Sequence, residues 1–130
     1  MAQNQDNPYT DMKKTLETIA IEDGRYSSEI IRFVYEGLAY TVKTLADEPG
    51  HVTGQLLCEG LRQLAMKKWG RLAKLVLETG GITKTNDFGQ IVWLLIENKW
   101  MSAQPSDSIE DFDNIYDFDS FKSDFNPDPA

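Results

Sequence analysis

The chain has 130 residues, the size of one ordinary domain, which is enough to bury about two-thirds of its unfolded surface without disulfides or metals. Its single cysteine excludes an internal disulfide, and no run of about 18 apolar residues predicts a membrane span. The net charge of −8 argues against general binding to nucleic acid or anionic lipid, because a negative field repels both. Since no apolar signal segment follows Met1, we expect a soluble, cytoplasmic protein.

The negative charge is concentrated at the C-terminal end. Residues 106–130 contain eight acids and one base and so carry −7, whereas residues 1–105 carry −1. The N-terminal residues are polar, rich in Gln and Asn, and offer little to bury. The sequence therefore predicts a disordered leader over 1–9, a helical core domain over 10–104 and an acidic, aromatic-rich tail over 105–130.

Apolar residues at three- and four-residue steps predict the first two helices. Thr10 is the predicted N-cap of the first helix, and Gly24 ends it. Ser27 or Ser28 caps the second helix, which continues to a turn over 47–50. Additional aromatic residues widen the apolar surface of this second helix, so we expect it to pack on two neighbouring elements.

The densest apolar stretch, residues 53–101, begins with Thr53 as the predicted N-cap of a third helix. Gly54 and Gly60 lower the helix propensity of this segment by up to about 1 kcal/mol each relative to alanine. We therefore expect close packing, such as the near approach of another helix, to hold the segment helical. Trp69–Gly70 then interrupts or kinks the pattern.

A short helix of mostly apolar residues follows and ends at Gly80–Gly81, where a positive φ angle is expected. Because little of this helix is polar, we expect it to be covered on most sides, with Leu72 and Leu75 directed inward. Thr85 or Asn86 is the predicted N-cap of the last helix.

The fold class predicted from these elements is all-α, a compact bundle of about five helices. Ile82–Thr83 and Trp100–Ser102 favour extended structure, and we predict that they pair as one minor two-stranded β element. The acidic tail beyond Pro105 completes the predicted architecture.

Several short motifs, taken together, resemble a known family. They are Asp23-Gly24-Arg25-Tyr26, Phe33-Val34-Tyr35-Glu36-Gly37-Leu38 with Tyr40-Thr41, His51-Val52-Thr53-Gly54-Gln55, Trp69-Gly70, Asp87-Phe88-Gly89, Asp111-Phe112 and Tyr116-Asp117-Phe118-Asp119. The family consists of small uncharacterised bacterial proteins known mainly from planctomycetes and verrucomicrobia, and the resemblance spans residues 13–121. Trp69 stands where the family usually has phenylalanine. The resemblance implies a single bacterial domain and carries no activity, cofactor or site residues.

The sequence offers few candidates for chemistry. His51 is the one histidine; a loop or capping role is favoured over general-base catalysis, and a metal site would need ligands beyond Cys58. Cys58 lies in an apolar helical pattern, which predicts a buried structural thiol. Asp23 and Arg25 meet at a helix junction, where a structural salt bridge is favoured over a catalytic pair. We therefore predict no enzyme, metal or cofactor, and a catalytic site centred on His51, Asp23 and Arg25 ranks third among the hypotheses.

One basic cluster lies in the nearly neutral core. The order of elements around it, helix, tight turn, helix, loop, helix and candidate hairpin, matches a winged helix-turn-helix. A solvated helix face is the commoner explanation of such a charge run, and Glu78 on the same side would repel phosphate. The same cluster is also a candidate binding site for the acidic tail. Its members are Arg62, Lys67, Lys68, Arg71 and Lys74.

Bulky apolar residues alternate with aspartates in the tail, although exposed aromatic rings promote aggregation. Two hypotheses stay open. Residues 109–121 either fold back on the core or form a disordered recognition motif that orders on a partner. The tail residues predicted to bind a partner are Phe112, Tyr116, Phe118 and Phe121.

The favoured function is a non-enzymatic cytoplasmic protein–protein interaction module that uses the acidic aromatic tail or the surface it covers. The alternative is a nucleic-acid-binding, helix-turn-helix-like domain autoinhibited by the acidic tail. We expect a protein partner, whose identity the sequence does not specify, and no membrane association.

Overall fold

The computed structural model describes residues 1–4, 13–46 and 50–121, and these form a mainly helical fold with one small antiparallel sheet. The predicted fold class is confirmed. Within the described ranges the elements are β1 Ala2–Gln3, α1 Leu16–Asp23, α2 Ser28–Thr44, α3 Gly54–Trp69, a 3₁₀ turn Gly70–Leu72, α4 Ala73–Thr79, α5 Thr85–Glu97, β2 Met101–Ser102 and a 3₁₀ turn Ile109–Phe112.

Side-chain caps begin the first three helices. The hydroxyls of Thr15, Ser27 and Thr53 each accept a hydrogen bond of 3.1 Å from a backbone N–H in the first turn. Gly24 ends α1 in the left-handed region at φ +79°. The predictions for Gly24, Ser27 and Thr53 are confirmed. The predicted N-cap Thr10, which lies outside the described residues, is wrong for α1, because this helix begins at Leu16 with Thr15 as its N-cap.

The predicted N-cap of α5, Thr85 or Asn86, is wrong. Both residues already belong to α5, and Lys84 occupies the cap position. A lysine side chain cannot accept a hydrogen bond from the first turn. The Asp87 carboxylate instead fixes the residues before the helix, because Oδ2 accepts from the N–H of Thr83 at 2.9 Å and of Lys84 at 3.3 Å. The hydroxyl of Thr85 is left to bind the C-terminal part of the chain.

The predicted partner of the β element is also wrong. β2 pairs antiparallel with β1, with Ala2 opposite Ser102 and Gln3 opposite Met101. Ile82 is instead fully buried in the core after the end of α4. The short sheet therefore joins the first residues of the chain to the segment that follows α5.

The predicted disorder of the leader 1–9 is wrong for residues 1–4, and the rest of the leader lies outside the described residues. The side chain of Met1 is 1% exposed, and its ammonium group donates to the Val52 carbonyl at 3.0 Å and to Asp107 Oδ2 at 3.0 Å. The polar composition of the leader does not predict that the apolar side chain and the charged ammonium group of Met1 fix it to the core.

α2 lies at the centre of the helical bundle and contacts α1, α3 and α5, which confirms that it packs on more than one neighbour. A Cβ atom at Gly60 of α3 would overlap the side chain of Thr41, and one at Gly37 of α2 would overlap Leu61. The close helix approach predicted from Gly60 is therefore present between α2 and α3.

The predicted interruption at Trp69–Gly70 is confirmed, since α3 ends there, Gly70 has φ +53° and a 3₁₀ turn leads into α4. Gly81 has φ +107°, the positive angle expected after α4. None of the helices in the described part of the chain is both long and apolar enough to cross a bilayer.

Candidate functional site

Residues 109–121, called the docked segment below, pack against α3 and α5. Phe112 is 1% exposed and sits over two glycines. A Cβ atom at Gly54 would lie 2.9 Å from Cε1 of the Phe112 ring, and one at Gly89 would lie 2.9 Å from Cδ1. Any larger residue at either position would collide with the ring, so Gly54 and Gly89 form a glycine socket for Phe112.

Polar contacts fix the backbone of the docked segment to the start of α5. The buried Thr85 hydroxyl donates to the Phe112 carbonyl at 2.6 Å and accepts from the Ile115 N–H at 3.1 Å. Asn86 Nδ2 donates to Asp113 Oδ1 at 2.6 Å. These bonds satisfy groups that would otherwise lose hydrogen bonds to water on burial.

An aromatic cluster extends the contact. Phe118 lies with its ring centroid 5.8 Å from Phe88 of α5, 5.9 Å from Tyr116 and 5.4 Å from Phe121. Tyr116 lies at the edge of the cluster with its hydroxyl turned inward, where it donates to the Cys58 carbonyl at 2.7 Å. Burial, more than the neighbouring Cys58, raises the pKa of Tyr116 well above its usual range.

The four tail residues predicted to bind a partner are therefore contacts within the fold. Phe112, Phe118 and Phe121 are buried, and Tyr116 is held through its hydroxyl. Between the two tail hypotheses, the structure shows the docked segment on the core. The rest of the acidic tail, residues 122–130, lies outside the described residues.

The predicted basic cluster is not one uniform face. Arg62 Nε donates to Glu59 Oε2 at 3.1 Å, and Lys67 Nζ lies 5.4 Å from the centroid of the Tyr40 ring. Lys74 forms an ion pair with Asp119 of the docked segment, and this hydrogen bond raises the pKa of Lys74.

The two remaining members of the cluster, Lys68 and Arg71, are exposed. Neither makes an ion pair with any residue that the structure describes. Their charges are therefore open to a partner.

The structure pairs Asp23 with Arg25, as the favoured structural salt bridge predicts, and gives His51 no contact with this pair. Arg25 Nη2 lies 2.9 Å from Asp23 Oδ1, and Arg25 Nη1 donates to Gln90 at 3.3 Å, so this pair ties the α1–α2 junction to α5. His51 is exposed and makes no hydrogen bond or ion pair within residues 1–4, 13–46 and 50–121. Those ranges also contain no group of three or more His, Cys, Asp or Glu residues placed to hold a metal ion.

Sequence reasoning missed the apolar surface on α4. Leu72 and Leu75, predicted to point inward, are 56% and 62% exposed. Leu72 ends the 3₁₀ turn before α4. Leu75 lines an open groove of about 390 Å³, together with apolar Ile30, Trp69 and Val76 and polar Glu29 and Thr79. We call the two leucines and this groove the α4 face. The buried stripe of α4 is Ala73 and Leu77 instead, and this four-residue spacing was the available signal.

Comparisons with protein-family models, with curated proteins and with solved structures find no match. The resemblance to the small bacterial family therefore stays a prediction.

Proposed function

We propose that the chain is a non-enzymatic, cytoplasmic protein–protein interaction module and that the α4 face is its binding surface. The supporting observation is the pair of exposed leucines beside an apolar groove. Complete burial of a leucine is worth about 1.5–3 kcal/mol, so a partner that covers both leucines gains a substantial part of that free energy. Concentrated apolar surface of this kind is typical of sites that bind other proteins.

The docked segment has a structural part in this proposal. Its buried rings are inaccessible to a partner unless they leave the glycine socket and the aromatic cluster. The sequence indicated the tail as the binding surface. Because the rings of the docked segment are buried, we assign binding to the α4 face instead. The tail contributes by completing the scaffold that presents α4.

The environment of the candidate reactive groups also favours binding over catalysis. Burial raises the pKa of Cys58 to about 12, so the thiol stays protonated and weakly nucleophilic near neutral pH. The Tyr26 hydroxyl donates to Asp87 at 2.7 Å, and burial followed by this hydrogen bond raises the pKa of Tyr26. Cys58 belongs to the buried side of α3, and Tyr26 ties the α1–α2 junction to α5.

The proposal is tested by affinity capture with three versions of the intact chain as bait: the native chain, Leu72→Glu/Leu75→Glu and Ile21→Glu. Ile21 is 81% exposed on α1 and supplies a matched control for replacing an exposed aliphatic residue. We expect a set of captured proteins that the native and Ile21→Glu baits share and the double variant loses. The same set from all three baits would count against the α4 face, provided that circular dichroism shows equal helicity.

Nucleic-acid binding is the second candidate. Autoinhibition by the tail requires an acidic tail residue to pair with the basic cluster, and Asp119 forms such an ion pair with Lys74. Asp119→Ala removes the closer of the two ion pairs described for Lys74 and leaves the longer one with Glu78, without removing an aromatic residue. If the alternative holds, this variant binds a labelled DNA duplex or RNA in low salt, and the affinity falls steeply as salt rises. Our proposal expects no such binding in fluorescence anisotropy, with Asp113→Ala as the matched control.

A further inference from the structure

We propose that the partner of the α4 face is a second copy of the chain, packed so that the two α4 helices run antiparallel about a two-fold axis. This inference rests on the proposed function, since it names the occupant of the same surface. The shape of the α4 face and the charges along it support this pairing.

The α4 face contains both halves of an apolar contact. Leu72 and Leu75 are exposed leucines, and Leu75 also forms one wall of the groove that Ile30, Trp69 and Val76 line. In a two-fold interface one surface patch contacts the same patch on the other copy. An exposed leucine next to a groove satisfies this condition, because the two-fold axis places the leucine of each copy at the groove of the other copy.

Charges flank Leu75 in a self-complementary order. Arg71 lies four residues before it and Glu78 three residues after it, and all three are exposed. Leu75 and Glu78 are three residues apart within α4 and share one side of that helix, and Arg71 lies in the 3₁₀ turn at its N-terminal end. An antiparallel pair centred near Leu75 brings Arg71 of each copy opposite Glu78 of the other, whereas a parallel pair brings like charges together.

The pairing uses the charge of Arg71 and requires Glu78 to exchange a long ion pair with Lys74 for a new one. Arg71 makes no ion pair within the described ranges, and Glu78 lies 3.8 Å from Lys74 Nζ, which Asp119 engages more closely. The net charge of −8 on each copy opposes association at long range. We therefore expect a concentration-dependent dimer that ordinary salt helps by screening this repulsion.

The first test is analytical ultracentrifugation of the intact chain at about 0.15 M salt, over concentrations from about 1 µM to about 1 mM. We expect the native mass to rise toward that of a dimer. Leu75→Glu is expected to raise Kd by about a hundredfold, because it brings a charge into the apolar contact. Ile21→Glu, the control on α1, should match the native chain.

A charge exchange tests the antiparallel register. Arg71→Glu and Glu78→Arg, each alone, place like charges opposite each other twice and should raise Kd about tenfold or more. An equimolar mixture of the two variants restores opposite charges and should associate more tightly than either variant alone. Both positions are exposed, so this test does not depend on whether Leu75→Glu folds.

A native chain that stays monomeric throughout the range would overturn the inference, as would a mixture that associates no better than its components. In either case the proposed function is judged separately: a different protein captured by the native chain and lost with Leu72→Glu/Leu75→Glu would uphold the α4 face with another occupant. If the native chain shows no dimer and no captured protein is lost with Leu72→Glu/Leu75→Glu, both proposals fail.

Discussion

At the scale of single residues, the glycines of α3 and α5 mark contacts made from outside the helix. Gly60 admits Thr41 of α2, whereas Gly54 and Gly89 admit Phe112 of the docked segment. The sequence predicts close packing at Gly54 and Gly60, because helix propensity alone disfavours glycine there. It does not identify the neighbour, since a residue without a side chain carries no chemical match to its partner.

Replacing Gly89 with alanine separates the effect of helix propensity from the effect of packing against Phe112. Propensity alone predicts that Gly89→Ala stabilises α5 by about 1 kcal/mol. The added Cβ would lie 2.9 Å from Cδ1 of Phe112, so we expect the free energy of unfolding to fall by about 1–3 kcal/mol instead. Urea denaturation of the native chain and the variant measures the sign of the change in the free energy of unfolding.

A double-mutant cycle supplies the control. In a Phe112→Ala background the ring is gone, so Gly89→Ala should be neutral or stabilising. An equal loss of stability in both backgrounds would show that the socket is not the cause.

Cys58 predicts a pH dependence at the alkaline end. Burial raises its pKa from 9.0 to about 12, so between these values the unfolded chain has released a proton that the folded chain retains. The unfolded state then binds fewer protons, and stability is complete below pH 9.0 and decreases as pH rises through this window. Cys58→Ala should reduce the slope of unfolding free energy against pH by about 1.4 kcal/mol per unit. Parallel slopes for both proteins would contradict the prediction.

At the scale of elements, the number of turns decides how much the sequence reveals. The stripe of α2 repeats over seventeen residues, and the predicted Ile30, Val34 and Leu38 are all buried. α4 has seven residues, so several leucines offer competing stripes and the wrong one was predicted to be buried. A short apolar helix shows its true buried side only when the neighbours that cover it are known.

The docked segment makes a prediction for hydrogen exchange. The Ile115 amide is bonded to Thr85 Oγ1 at 3.1 Å, so it should exchange far more slowly than in an unstructured peptide. Phe112→Ala should accelerate exchange at Ile115 more than at Ile19 in α1, because the substitution releases residues 109–121 first. Exchange of Ile115 at the unstructured rate in the native chain would contradict docking.

At the scale of the whole molecule, three acids of the acidic end have partners elsewhere in the described fold. Asp107 pairs with the Met1 ammonium, Asp113 accepts from Asn86 and Asp119 pairs with Lys74. The sequence locates the charge, and it predicts Lys74 among the basic residues that receive it. The partner of Asp107 could not be predicted, because no periodic pattern connects it with the first residue.

The Met1–Asp107 pair should therefore contribute more to stability than the ion pairs on the surface. Its two side chains are 1% and 8% exposed, whereas those of Arg32 and Glu17 are 52% and 57% exposed. Asp107→Asn keeps the shape of the carboxylate but leaves a buried ammonium without its counter-charge, so we expect a loss of about 3 kcal/mol. Glu17→Gln, the surface control, should cost less than about 1 kcal/mol because water already screens that pair. Chemical denaturation of both variants measures the difference, and equal losses would show that the buried pair is not an anchor of the fold.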